Sequence, residues 1–168
     1  RMHRNYTHVL ASGKACVKPF AEAFGCIEKM VVIGSLPRVD RLMSEDIKQH
    51  TIDKIFGMYQ ELKQAKDCDK KIIVYAPTFR KHKDISVEIE DLINKISSDD
   101  RIIVIKKHPL MKLCIEDRPG VIVDNTFSTE EILYIADCVI ADYSAIVFEA
   151  ALLNKPMCFY AFDLDAYM

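Results

Sequence analysis

Residues 138–156 read CVIADYSAIVFEAALLNKP. The first four, Cys138–Ala141, are apolar on consecutive positions, the pattern of a strand buried on both faces of a parallel sheet. A polar turn, Asp142-Tyr143-Ser144, follows, and then Ala145–Leu153, apolar nearly all round except at Glu149. That segment predicts a buried helix, capped near Ser144 and stopped by Asn154 and Pro156. Met157–Tyr160 supplies the next strand-like run.

The same alternation continues toward the N-terminus. Thr7–Ala11, Met30–Ile33, Ile72–Ala76, Ile102–Ile105 and Val121–Val123 read as strands. Between them, Ile85, Ile89, Leu92, Ile93 and Ile96 share one helical face. Ile52, Ile55, Phe56, Tyr59 and Leu62 share another, in a helix expected from about Glu45 to Lys63. Ser128 followed by Glu131 fits a capping box opening a helix to about Ala136. Repeats, low-complexity tracts and an internal linker are absent, so residues 1–168 read as a single domain. Strand and helix in alternation predict an α/β fold with a doubly wound parallel sheet and right-handed crossovers.

Composition narrows the function classes. Half of the 168 residues are apolar, 29% are charged, and mean hydropathy is +0.02, enough apolar material for a core. That length suits one domain or one half of a two-domain enzyme. The 23 Lys and Arg against 25 Asp and Glu argue against a nucleic-acid surface. The longest apolar stretch, Ala145–Leu153, is far short of the ~20 residues needed to span a bilayer. Arg1, His3 and Arg4 lead into a mixed segment, predicting no secretory leader there. Six cysteines, at 16, 26, 68, 114, 138 and 158, show neither C-x-x-C nor zinc-like pairing and read as reduced thiols of a cytosolic protein.

In a doubly wound sheet, ligands sit beyond the carboxyl ends of the strands. Four clusters stand there: Gly34-Ser35-Leu36-Pro37-Arg38-Val39-Asp40, Pro77-Thr78-Phe79-Arg80, Lys106-Lys107-His108-Pro109 and Asp142-Tyr143-Ser144. Singly, each has a plain structural explanation: a turn, a solvated strand end, an N-cap. Together on one sheet edge they make an anion site in an acidic chain. Arg80 offers a fork for phosphate oxygens, His108 a hydrogen bond or a proton, and the helix after Ser144 its free N–H groups. Glu149, in an apolar helix, either pairs with one of these bases or accepts hydrogen bonds from ligand hydroxyls. Neither a GxGxxG nor a GxxxxGK[ST] motif occurs, and the carboxylates form no metal-ligand spacing, so no metal is expected.

These clusters, taken in order, carry a family resemblance. Gly34 with Pro37-Arg38-Val39-Asp40, Tyr75-Ala76-Pro77-Thr78-Phe79-Arg80, Lys106-Lys107-His108-Pro109, Ala141-Asp142-Tyr143-Ser144-Ala145 with Phe148-Glu149, and Phe159-Tyr160 with Asp163-Leu164-Asp165 and Tyr167 resemble the CDP-glycerol glycerophosphotransferase family, with a Gly34-to-Pro37 spacing one residue longer than common. Its members build the poly(glycerol phosphate) or poly(ribitol phosphate) of wall teichoic acids and some capsules. The resemblance implies a GT-B enzyme of two Rossmann-like domains, with residues 1–168 similar to the C-terminal, donor-binding one and the acceptor domain outside this chain. It implies catalytic roles for His108 and Arg80. It implies donor binding by Arg38, Pro77, Thr78, Arg80, Lys106, Lys107, His108, Asp142, Ser144, Ala145 and Glu149. The implied substrate is CDP-glycerol or CDP-ribitol, with no further cofactor. A hydroxyl of a lipid-linked polyol-phosphate acceptor would attack, and CMP would leave. The intact enzyme would lie at the inner face of the cell membrane, held through parts outside this chain, with no nucleic-acid partner. Three positions depart from the family's usual residues: Ala145 for a second serine, Glu149 for aspartate and Phe79 for tryptophan. Two other functions predict the same basic edge: a GT-B glycosyltransferase or epimerase using a UDP-sugar, and a non-catalytic nucleotide-binding domain.

Overall fold

The computed structural model describes residues 5–34, 36–81 and 83–167, without the side chains of 166 and 167. Arg1, His3 and Arg4, Ser35 of the first strand-end cluster and the side chain of Tyr167 lie outside the described residues. The chain forms two compact units, residues 1–44 and 45–168.

In the first unit, β1 (Val9–Ala11) and β2 (Val31–Ile33) pair in parallel, Val9 opposite Val31. Helix α1 (Val17–Phe24) links them and ends on Gly25, whose φ of 64° is the left-handed cap that glycine adopts at little cost. Val9, Ala11, Ala21 and Val31 form a small core. Consecutive apolar residues in β1 and β2 predict burial on both faces, yet Leu10, Val32 and Ile33 are more than 40% exposed. Helix α1 packs against one face, so Leu10 and Val32, opposite one another, point away from it, and Ile33 at the end of β2 is exposed as well. Pro37-Arg38, read as a strand-end turn, opens helix α2 (Pro37–Leu42), with Pro37 at the first position, where its missing N–H leaves no bond unmade.

The second unit is a five-stranded, all-parallel sheet. Its strands are β3 (Lys71–Ala76), β4 (Arg101–Lys106), β5 (Val121–Asp124), β6 (Cys138–Ala141) and β7 (Met157–Phe159), in the order β5-β4-β3-β6-β7. Among the described residues six helices accompany them: α3 (Glu45–Met58), α4 (Gln60–Asp67), α5 (Ser86–Ile96), α6 (Thr129–Leu133), α7 (Ile146–Leu152) and α8 (Leu164–Tyr167). Ile72, Val74, Ile102, Val104 and Val139 share one core with Ile55, Leu62, Ile132 and Ile146 of the helices. Tyr75, Ile103, Ile105 and Ile140 share the opposite core with Ile89, Leu92 and Ile93 of α5. Strands β3, β4 and β6 are therefore covered on both faces, as their continuous apolar runs predict.

Winding proceeds outward from β3 to β5, then resumes on the other side of β3 with β6 and β7. The topological switch point lies between β3 and β6, paired Val74 to Val139. The Ser128–Glu131 capping box forms in both directions, at 3.2 and 2.8 Å, although α6 ends at Leu133 rather than near Ala136. The helix expected from Glu45 to Lys63 is two helices, broken at Tyr59, whose hydroxyl donates to Asp124 Oδ1 at 2.7 Å. All six cysteines are free thiols.

Candidate functional site

The carboxyl ends of β3, β4, β5 and β6 open onto a cleft of about 560 Å3. Three of the four strand-end clusters converge there; the first follows β2, in the other sheet. Among the described residues the wall carries Lys106, Lys107 and His108, hydroxyls from Thr78, Ser128, Thr129, Tyr143 and Ser144, and no carboxylate. An acidic chain thus presents a cleft without an acidic wall.

His108 stands at the mouth of β4. Its ring stacks on Phe79, centroids 5.0 Å apart with planes 20° from parallel, so its plane is set by the loop after β3. The Leu110 N–H donates to His108 Nδ1 at 3.2 Å. A neutral ring that accepts at Nδ1 carries its proton on Nε2, which leaves an N–H donor for a ligand. Lys107 shares this rim, and no ion pair engages its ammonium among the described residues. Ser144 Oγ accepts the Ile146 N–H at 3.3 Å, and Ser128 Oγ accepts that of Glu131. Each hydroxyl keeps its own hydrogen for a further acceptor.

Four sequence-derived candidates sit differently from expectation. Lys106 is buried, and its ammonium pairs with Asp124 and donates to the Phe127 carbonyl. It ties β4 to the loop after β5. Arg80 is not on the cleft wall; its side chain, 8% exposed, lies between Asp142 and Asp163. Asp142 is wholly buried and organises the switch point. It accepts the Thr78 N–H at 3.0 Å, the Thr78 hydroxyl at 2.5 Å and the Tyr143 N–H at 2.6 Å. Glu149 is buried on α7 and does not line the cleft. Helix α7 itself is buried on one side only, with Phe148 70% exposed, because β6 covers a single face. Arg38 belongs to α2 of the first unit, whereas the other candidates all belong to the second. Pro77, Thr78, Ser144 and Ala145 line the cleft.

Sequence inspection missed the loop after β5, where Asn125, Phe127, Ser128 and Thr129 complete the wall. The capping box at Ser128 was its one available signal. Asp124 is held below the ordinary carboxylate range: burial pushes it up, but hydrogen bonds from Lys106 and Tyr59 outweigh that. Its partner Tyr59 is pushed up to about 12, first by burial and then by Asp124. Among the described residues no cluster of three metal-ligating side chains occurs, and no helix is long and apolar enough to cross a membrane.

Comparison with known proteins bears on this cleft. The family model described as CDP-Glycerol:Poly(glycerophosphate) glycerophosphotransferase matches residues 1–168. The chain belongs to this family. The teichoic acid ribitol-phosphate polymerase TarL of Staphylococcus aureus is 36% identical over 182 residues, covering 99% of this chain and 31% of TarL. The teichoic acid poly(glycerol phosphate) polymerase of Staphylococcus epidermidis is 26% identical, covering 96% of this chain and 23% of that polymerase. The chain therefore spans about a third or less of the length of these two relatives. Among solved structures, a CDPG-soaked variant of the wall teichoic acid polymerase TagF superposes with a TM-score of 0.73 and 25% identity, over 98% of this chain and 42% of that one. The UDP-GlcNAc 2-epimerase of Neisseria meningitidis shares the fold, with a TM-score of 0.58 and 17% identity, over 91% of this chain and 44% of the epimerase. The Rossmann-like, doubly wound sheet expected of one half of a GT-B fold is the architecture observed.

Proposed function

We propose that this chain is the donor-binding part of a polyol-phosphate transferase and that its cleft holds the diphosphate of a CDP-polyol. The observation carrying this is the carboxylate-free wall at the switch point, with Lys107 and the Nε2–H of His108 on one rim and the Ser144 hydroxyl on another. Charge neutralisation and positioning do most of the work in phosphoryl transfer, and this wall supplies both. An acceptor hydroxyl gives up its proton to a base outside these residues and forms the new bond to the β-phosphorus. The bond from that phosphorus to the CMP oxygen breaks, and the electron pair leaves with CMP. His108 Nε2–H donates to the oxygen on which that charge develops, and Lys107 adds a nearby positive charge. Thr78, anchored by Asp142, and Pro77 line the cleft at the end of β3, between the ends of β4 and β6.

Within this reading, both units belong to the donor-binding half of a GT-B enzyme, and the intact protein acts on a lipid-linked acceptor at the cytoplasmic membrane face. Ribitol is favoured over glycerol, because the ribitol-phosphate relative is the more similar of the two described above. A thermal-shift series tests the class. A ligand at about a hundred times its Kd adds about 2.7 kcal/mol of stability. CDP-ribitol, CDP-glycerol and CMP are expected to raise the melting temperature, CDP-ribitol more than CDP-glycerol, while UDP and UDP-sugars leave it unchanged. Selective stabilisation by UDP would instead assign the cleft to a sugar nucleotide.

A further inference from the structure

Arg80 stands two residues beyond the cleft-lining Thr78, yet its guanidinium turns away from the cleft wall. Nε and Nη2 donate to the Asp163 carboxylate at 2.9 and 3.0 Å. Nη2 also donates to Asp142 Oδ2 at 3.0 Å, and Nη1 to the Thr78 carbonyl at 2.7 Å. The guanidinium carbon lies 5.1 Å from the centre of the Tyr143 ring and 5.8 Å from that of Phe162. Tyr143 in turn donates from its hydroxyl to Asp163 Oδ1 at 3.2 Å. Three strand-end loops, after β3, β6 and β7, thus meet on one side chain.

The charge balance decides what this cluster can do. One guanidinium faces two carboxylates whose side chains are 0% and 9% exposed. The three groups together carry a net negative charge, so Arg80 lends no attraction to an anion. What it can transmit is position. Thr78 and Tyr143 are on the cleft wall, and Phe79, held between Thr78 and Arg80, is the ring on which His108 stacks. A planar fork can meet two carboxylates and a carbonyl at once, which a lysine ammonium on a flexible stem cannot. Hydrogen bonding from Arg80 holds the Asp163 carboxyl below its ordinary range, so the pair stays charged into mild acid.

We propose that Arg80 is a positioning residue, anchored by Asp163, that sets the His108 ring and the cleft wall through Phe79, Thr78 and Tyr143. The proposal rests on the donor-site reading above for its effect on binding, while its effect on His108 is independent of any ligand. Two explanations differ in sign at Asp163. If Arg80 were a phosphate ligand partly neutralised by Asp163, Asp163→Asn would free positive charge and tighten anion binding. If Arg80 positions, the same change weakens it.

The test measures CDP-ribitol and CDP-glycerol affinity by calorimetry for the wild-type chain, Asp163→Asn, Arg80→Lys and Tyr143→Phe. The His108 imidazole resonances are recorded without ligand for each. Asp163→Asn and Arg80→Lys are each expected to weaken binding by about tenfold, a size typical of residues acting through a packed network. The dependence of affinity on salt should keep its wild-type slope, because no ligand-contacting charge is lost. The His108 ring signals should move in both variants as the stacking on Phe79 loosens. Tyr143→Phe removes one hydrogen bond, keeps the ring over Arg80 and is expected to weaken binding about threefold; it decides the matter if the stronger variants fail to fold. Unchanged or tighter binding by Asp163→Asn, or wild-type affinity and His108 signals in Arg80→Lys, would overturn the proposal. Should the wild-type chain bind neither CDP-polyol, the donor reading fails, and the His108 signals alone decide: movement supports positioning, and unchanged signals overturn it.

Discussion

Replacing His108 by alanine is expected to weaken CDP-polyol binding by about 10- to 100-fold. The loss is one hydrogen bond to a charged phosphate oxygen, worth about 1.5–3 kcal/mol. The reason lies in geometry rather than in charge alone. The Leu110 N–H occupies Nδ1, which leaves the Nε2 side of the ring for a ligand, and Phe79 fixes the ring plane. His108→Gln keeps an N–H donor without the stacked ring and is expected to recover part of the loss. In a polymer-forming protein that carries this chain, turnover should fall further, by about 10²–10⁴-fold, because the same donor stabilises the leaving CMP. Calorimetry on the chain and an assay of CMP release check the two parts. Wild-type affinity in His108→Ala would remove this residue from the site.

The largest expected effect on stability lies at Lys106, a residue whose place in the sequence suggests ligand binding. Its side chain is 7% exposed and the Asp124 side chain is fully buried. Asp124 also accepts from the Tyr59 hydroxyl at 2.7 Å and from the Thr126 N–H at 3.1 Å. Removing one partner of a buried pair leaves an uncompensated charge, so Lys106→Met should destabilise the fold by about 3–5 kcal/mol.

The pH dependence follows from the sign of the Asp124 shift. Its depressed carboxyl contributes stability that is present above the unfolded value of about 3.9 and is lost as pH falls through the lower folded value. In Lys106→Met the first of the hydrogen bonds that offset burial is lost, and the Asp124 carboxyl rises relative to wild type. Protonation then relieves the buried charge, so the deficit relative to wild type should be largest at neutral pH and shrink toward about pH 4. Urea melts across that range check it. A deficit under about 1 kcal/mol, or one that does not change with pH, contradicts the buried-pair description.

Much of the second unit was legible because its central strands are covered on both faces. Ile72–Ala76, Ile102–Ile105 and Cys138–Ala141 are apolar without interruption, and the structure makes each a strand. Similar runs at β1 and β2 misled about burial, since a short apolar run reads alike whether one face or two is covered. Pro37 looked like a turn because proline at a helix's first position and proline in a turn leave the same local trace.

The candidate site was legible to the level of which strand ends carry charge. It was not legible which charge faces the cleft. Lys106 and Lys107 are neighbours, but strand periodicity puts Lys106 on the face of Ile102 and Val104, and the pattern alone could have separated them. Arg80 finds Asp163, 83 residues away, and Tyr59 finds Asp124, 65 residues away. Pairings of that separation are products of the winding, and no local signal announces them.

A crystal structure of the chain with CDP-ribitol tests the central claim most directly. The expected density places the diphosphate in the cleft, with an oxygen about 3 Å from His108 Nε2 and Lys107 beside it, while Arg80 stays between Asp142 and Asp163. A diphosphate bound away from His108, or an Arg80 released from both carboxylates to grip it, would contradict the account.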